Sequence, residues 1–164
     1  EEPLPVIVRR LKPLKYWIRD EIEEIIKEEK IDRKQFGEYS KFKYEGVIKR
    51  FYYTYMDYEK YPQIELAYCW LHFRDSIQKE DNIYVDGDWK QFLHRVGALI
   101  EEKEDTKLYM ILSQGWIYEG YLKEILDVLG ETDGLLEDFY LVSPEFEWMI
   151  AYCDDGECAA LYRA

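Results

Sequence analysis

The side chains able to do chemistry in this sequence fall into four groups. Cys69, Cys153 and Cys158, together with His72 and His94, are its sulfur and imidazole ligands. A four-residue gap separates Cys153 from Cys158 across what reads as a hairpin, a spacing zinc can use. Structural zinc sites, however, draw four ligands from two tight pairs, and the second pair on offer is Cys69 with His72. The pattern therefore favours small buried thiols flanking a turn over a metal centre. Asp154, Asp155 and Glu157 crowd three carboxylates onto that same turn. Asp-Asp-Gly is good turn chemistry, and the run lacks the alternating oxygen ligands and distant Glu of a calcium loop. The third group is Gln114-Gly115-Trp116-Ile117-Tyr118-Glu119-Gly120, where two glycines bracket aromatic and acidic side chains after an apolar run. At a strand-to-helix junction this would be the place for a small ligand, although neither a Walker loop nor a dinucleotide fingerprint is present. The fourth is aromatic: eight of the 16 tyrosines lie between Tyr39 and Tyr68. Tyrosine suits protein interfaces and base stacking alike, but stacking on nucleic acid normally comes with cations, and residues 51–100 hold five bases to eight acids.

Nucleophilic catalysis has little to draw on. Both histidines fall in predicted helices, serine is scarce, and no G-x-S-x-G elbow is present. No catalytic residue, metal or cofactor is assigned, and an enzyme is the minority reading. Its form would be a small-ligand or metal-dependent enzyme centred on the junction Gly115–Gly120.

The elements that must position these groups are read from hydrophobic spacing. Leu14, Trp17, Ile18, Ile22, Ile25 and Ile26 predict an amphipathic helix from Pro13 to about Lys30. Residues 42–56 are rich in β-favouring aromatics and are expected as strand, with a helix over 64–77. Asp86-Gly87 marks a turn, and Asp88 is placed to cap a helix carrying Trp89, Phe92, Leu93, Val96, Leu99 and Ile100. After the charged loop 101–105, Leu108–Leu112 is apolar throughout, as in a central strand. Tyr118, Tyr121, Leu122, Ile125, Leu126 and Leu129 predict a helix closed by Gly130 at C′. Phe139–Val142, Trp148–Cys153 and Ala159–Tyr162 complete the pattern as strands, with turns at Asp133-Gly134, Ser143-Pro144 and Asp154-Asp155-Gly156. The expected fold is a single α+β domain over 1–164, with a mostly antiparallel sheet of about 4–6 strands packed with 3–4 helices.

Charge narrows the class of partner. The 164 residues carry 22 bases and 35 acids, net −13, and the excess lies at the C-terminus, where residues 131–164 hold nine acids and Arg163 alone. Such a surface repels phosphate backbones and anionic lipid and accelerates encounter with a basic protein. No apolar run approaches the roughly 18 residues of a membrane span, and Glu1-Glu2-Pro3-Leu4-Pro5 does not read as a signal peptide. An odd number of scattered cysteines fits a reducing compartment, so the expected location is the cytoplasm.

Leu112-Ser113-Gln114-Gly115-Trp116-Ile117-Tyr118-Glu119-Gly120, Asp138-Phe139-Tyr140-Leu141-Val142-Ser143 and the stretch from Trp148 through Cys153-Asp154-Asp155-Gly156 resemble a family of small uncharacterised bacterial proteins, a likeness covering roughly the C-terminal 60 residues. In size, acidity and α+β make-up the chain is also loosely similar to immunity proteins of bacterial toxin systems. That likeness implies a non-catalytic inhibitor that blocks a basic protein with an acidic and aromatic face. The residues expected to meet such a partner are Trp116, Tyr118, Glu119, Asp154, Asp155 and Glu157.

Overall fold

Ile18, Ile22, Ile25 and Ile26 recur at helical steps and are all buried, on one face of helix α1 (Trp17–Glu28). The computed structural model describes residues 17–85, 87–100 and 105–163. Leu14 at the start of the first expected helix, Asp86 in its turn and residues 101–104 of the charged loop lie outside them. Beyond α1 the chain reverses through Lys30 in the left-handed region (φ 54°), and a short strand, β1 (Phe36–Glu38), follows.

The largest departure from the sequence reading comes next. Residues 44–55 are not a strand but helix α2 (Tyr44–Tyr55), whose buried side chains are Tyr44, Val47, Ile48, Phe51, Tyr52 and Tyr55. Those six positions step by three, one, three, one and three, which is helical periodicity. Aromatic side chains raise strand propensity only where a pleated surface receives them, and here the core receives them along one helix face. The helix expected over 64–77 is instead a 3-10 segment at Leu66–Leu71, tied to the sheet where the Tyr140 hydroxyl donates to the Leu66 carbonyl at 2.8 Å. A further strand not anticipated is β2 (Gln78–Tyr84), polar and exposed along almost its whole length.

Helix α3 (Trp89–Leu99) starts where the sequence places it, with the Asp88 carboxylate accepting from the Gln91 N–H at 3.1 Å. Strand β3 (Leu108–Leu112) follows, but the expected strand-to-helix junction does not. Gly115 (φ 109°) makes a tight turn into another strand, β4 (Ile117–Gly120), and helix α4 (Leu122–Gly130) begins only after it. Gly120 has its own reason to be glycine. A Cβ there would sit 2.7 Å from the Gln35 carbonyl oxygen and 3.0 Å from the Phe36 Cα, so β1 can lie against β4 only without one. Gly130 is the last helical residue and not a left-handed C′. The Thr132 hydroxyl donates to the Leu129 carbonyl at that end.

Strands β5 (Phe139–Val142), β6 (Trp148–Cys153) and β7 (Glu157–Tyr162) complete one antiparallel sheet in the order β1-β4-β3-β5-β6-β7-β2. The seven strands among the described residues exceed the expected 4–6 because β1, β2 and β4 were not anticipated, which outweighs the loss of the strand expected over 42–56. The α+β class, the antiparallel arrangement and the four α-helices among the described residues match the expectation. Helix α2 covers one face, with Phe51 against Tyr140 at 5.0 Å, while α1, α3 and α4 cover the other, with Trp89 and Phe92 against Tyr152. Layers on both faces explain why every residue of β5 and β6 is buried, so that neither strand alternates polar with apolar.

Candidate binding cleft

Strand direction brings three loops to one end of the sheet. Leu112 ends β3 opposite Phe139, Phe139 pairs with Tyr152, and Tyr152 pairs with Cys158. The β3–β4 turn, the entry to β5 and the β6–β7 turn therefore meet. Hydrogen bonds knit them: the Ser113 N–H donates to the Asp138 carbonyl, and the Asp154 N–H to the Asp138 carboxylate, each at 3.1 Å. The β6–β7 turn is a three-residue loop closed by Gly156 in the left-handed region (φ 90°), a geometry that needs glycine in its last position.

Against this end, on the face that bears α2, the 3-10 segment stands off the sheet and leaves a cleft of about 640 Å³. It is lined by Ala67, Trp70 and Leu71 from that segment, Lys79 of β2, Ser113, Glu137, Asp138, Cys153, Asp154, Asp155 and Glu157. Five carboxylates thus face one ammonium. Among the described residues none of the five carboxylates takes part in an ion pair. Burial pushes the Asp138 carboxyl up to about 6. The Asp154 N–H opposes that rise, and the neighbouring charges of Asp154, Glu137 and Asp155 add to it.

Aromatic and apolar surface accompanies the charge. Leu71 is 74% exposed at the rim, and the Lys79 Nζ lies 4.9 Å from the centre of the Trp70 ring. The Trp70 Nε1 and the Ser113 Oγ are sealed from solvent and have no hydrogen-bond partner among the described residues. The Cys153 thiol is raised by burial, against backbone hydrogen bonds from Glu157 and Asp155, and so stays a neutral wall group.

The six residues singled out from the sequence do not form one surface. Asp154, Asp155 and Glu157 come together in the cleft. Trp116 and Tyr118 are core side chains, 4% and 0% exposed, so neither can meet a partner in this fold. The Tyr118 ring stacks on Phe36 at 5.3 Å, and its hydroxyl donates to Glu23 at 2.8 Å, which anchors α1 to the sheet. Glu119 lies on β4, four strands away from β7, or roughly 19 Å at the usual strand spacing. Cys153 and Cys158 cannot chelate one ion together. Cys153 pairs with Glu157 and Cys158 with Tyr152, so the thiols point to opposite faces. His72 is stacked on Tyr61 at 3.7 Å. Among the described residues no three His, Cys, Asp or Glu side chains gather as a metal site. The junction Gly115–Gly120, the premise of the enzyme reading, is a tight turn followed by a strand.

Trp70, Lys79, Ser113, Glu137 and Asp138 were not anticipated as site residues. Asp138 carried a faint signal, as an acid immediately before an apolar strand at the end where loops collect. Trp70 was hidden by the misread period of its segment.

A family model for a family of unknown function (DUF6756) matches residues 14–164. The chain belongs to DUF6756. The match reaches far beyond the C-terminal 60 residues in which a family likeness was read, and every cleft residue from Ala67 to Glu157 lies inside the DUF6756 region. No curated protein and no solved structure matches the chain.

Proposed function

We propose that this member of DUF6756 is a non-catalytic binding protein whose acidic cleft captures a basic protein, in the manner of an immunity protein that blocks a bacterial toxin. The observation that carries the reading is the set of five carboxylates without ion-pair partners beside an aromatic wall and the exposed Leu71. Charge of one sign left unpaired around a concave surface speeds encounter with the opposite sign, while aromatic and aliphatic surface supplies contact once water is displaced. The proposal includes a bacterial cytoplasmic location, which three free thiols suit.

The test is capture from the native host with wild-type protein and with Asp154→Lys/Asp155→Lys, followed by association kinetics on whatever basic protein is retained. The reading expects an association rate that falls steeply with salt, and falls again, by about tenfold or more, in the double variant. A partner bound at the same rate by both proteins, at low and high salt alike, would remove the cleft from the function.

A further inference from the structure

Resting on the reading of the cleft as a basic-partner site, we infer that it is a slot for one arginine side chain of that partner, and that Lys79 occupies the stacking position in the free protein. The ammonium of Lys79 already sits over Trp70, which marks that ring as a cation-facing wall. Among the described residues no ion pair fixes Lys79 there, although five carboxylates line the same space. Lys79 is exposed and stands on edge strand β2, beside a register irregularity between Lys79 and Asn82, so its long side chain can leave without disturbing the core.

The shape of the cleft specifies the rest of the ligand. A 640 Å³ cleft has room for a long side chain and its flanking peptide groups. Guanidinium is favoured over ammonium on geometry: it is planar, stacks flat on indole, and its fork of donors can engage more than one carboxylate at once.

The experiment uses the full chain, isotopically labelled so that the five tryptophan indole N–H signals are resolved, with Trp70→Phe identifying the Trp70 signal. The probe is the capped tripeptide acetyl-Gly-Arg-Gly-amide, compared with the same peptide carrying lysine or the uncharged isostere citrulline. The slot predicts that the arginine peptide shifts the Trp70 signal in a saturable way and the lysine peptide binds several-fold more weakly. The citrulline peptide should leave the signal unmoved. Lys79→Gln, an exposed change, should tighten arginine-peptide binding roughly two- to fivefold, the value of one exposed cation–π contact. A Trp70 signal indifferent to the arginine peptide, equal binding of lysine and citrulline peptides, or weaker binding by Lys79→Gln would each overturn the inference. If a basic partner is captured in a salt-sensitive way while the peptide leaves Trp70 unmoved, only the arginine slot fails. Peptide binding without any salt-sensitive partner would instead sink the inhibitor reading alone.

Discussion

Two groups of carboxylates, one beside β1 and one around the cleft at the entry to β5, are built in opposite ways. Beside β1, Glu38 and Glu23 are matched. Glu38 receives Arg19 through Nε at 3.1 Å and Nη2 at 2.6 Å, and the Tyr44 hydroxyl at 2.6 Å. Glu23 receives Arg33 at 2.8 Å and the Tyr118 hydroxyl at 2.8 Å. Burial alone would raise the Glu38 carboxyl, but hydrogen bonds from Arg19 and Tyr44 outweigh it and hold it below its usual range. In the cleft, at the entry to β5, the Asp138 carboxyl rises to about 6 because burial and like charges are not answered by a cation among the described residues. The same chemical group is thus structural beside β1, where a guanidinium and a hydroxyl converge on it, and without a cationic partner among the described residues at the cleft.

The comparison breaks most visibly at the matched group. Glu38→Ala should cost about 1–3 kcal/mol, because it removes the carboxylate that the Arg19 guanidinium and the Tyr44 hydroxyl share and leaves Tyr44 only the longer bond to the Ile117 carbonyl, and urea unfolding measures it. A cost below about 0.5 kcal/mol, the range of ordinary surface changes, would show that the network holds nothing. At the cleft the sign reverses. Since the folded-state value of Asp138 lies above its ordinary 3.8, folding favours the protonated form. Stability therefore rises as pH falls through about 6 and the strain of the charged form is relieved. Asp138→Asn keeps an oxygen for the Asp154 N–H and removes the charge, so it should raise the melting temperature at pH 7.5 by about 1–3 °C and flatten the dependence between about pH 4 and pH 6. A melting temperature lowered at pH 7.5 would contradict the account of that carboxyl. The smallest effect belongs to Asp154→Lys/Asp155→Lys, both exposed on a turn, which should leave unfolding free energy within about 0.5 kcal/mol of wild type while changing partner association.

What could be read from the sequence depended on whether one period dominated. Trp89, Phe92, Leu93 and Val96 have a single helical reading and a capping Asp88, and α3 follows them. Leu108–Leu112 and Phe139–Val142 are apolar on both faces because helices cover both faces, and their strand nature survived in their length and their turns. In α2 the aromatic run Phe51-Tyr52-Tyr53 spoke for strand while the burial of Tyr44, Val47, Ile48, Phe51 and Tyr55 obeys the helix, so propensity and packing disagreed and packing decided. Tyr118 was assigned to the helix after it because its spacing to Tyr121 and Leu122 is helical, whereas Gly115 had already turned the chain into β4. For the cleft, Asp154, Asp155 and Glu157 were visible as neighbours in sequence. Trp70, Lys79, Ser113 and Asp138 lie 84, 75, 41 and 16 residues before Asp154 and meet it only through the tertiary fold, which local patterns do not encode.

Edge strand β2 has a consequence for the company the molecule keeps. Among the described residues no strand pairs with its outward rim, the usual invitation for another chain to add one, yet Lys79, Glu80 and Asp81 line it with charge and the register irregularity before Asn82 spoils its straightness. The opposite margin, β1, is three residues long and gives a would-be addition little to grip. Among the described residues the sheet therefore ends at seven strands, with both margins poorly suited to the addition of another chain.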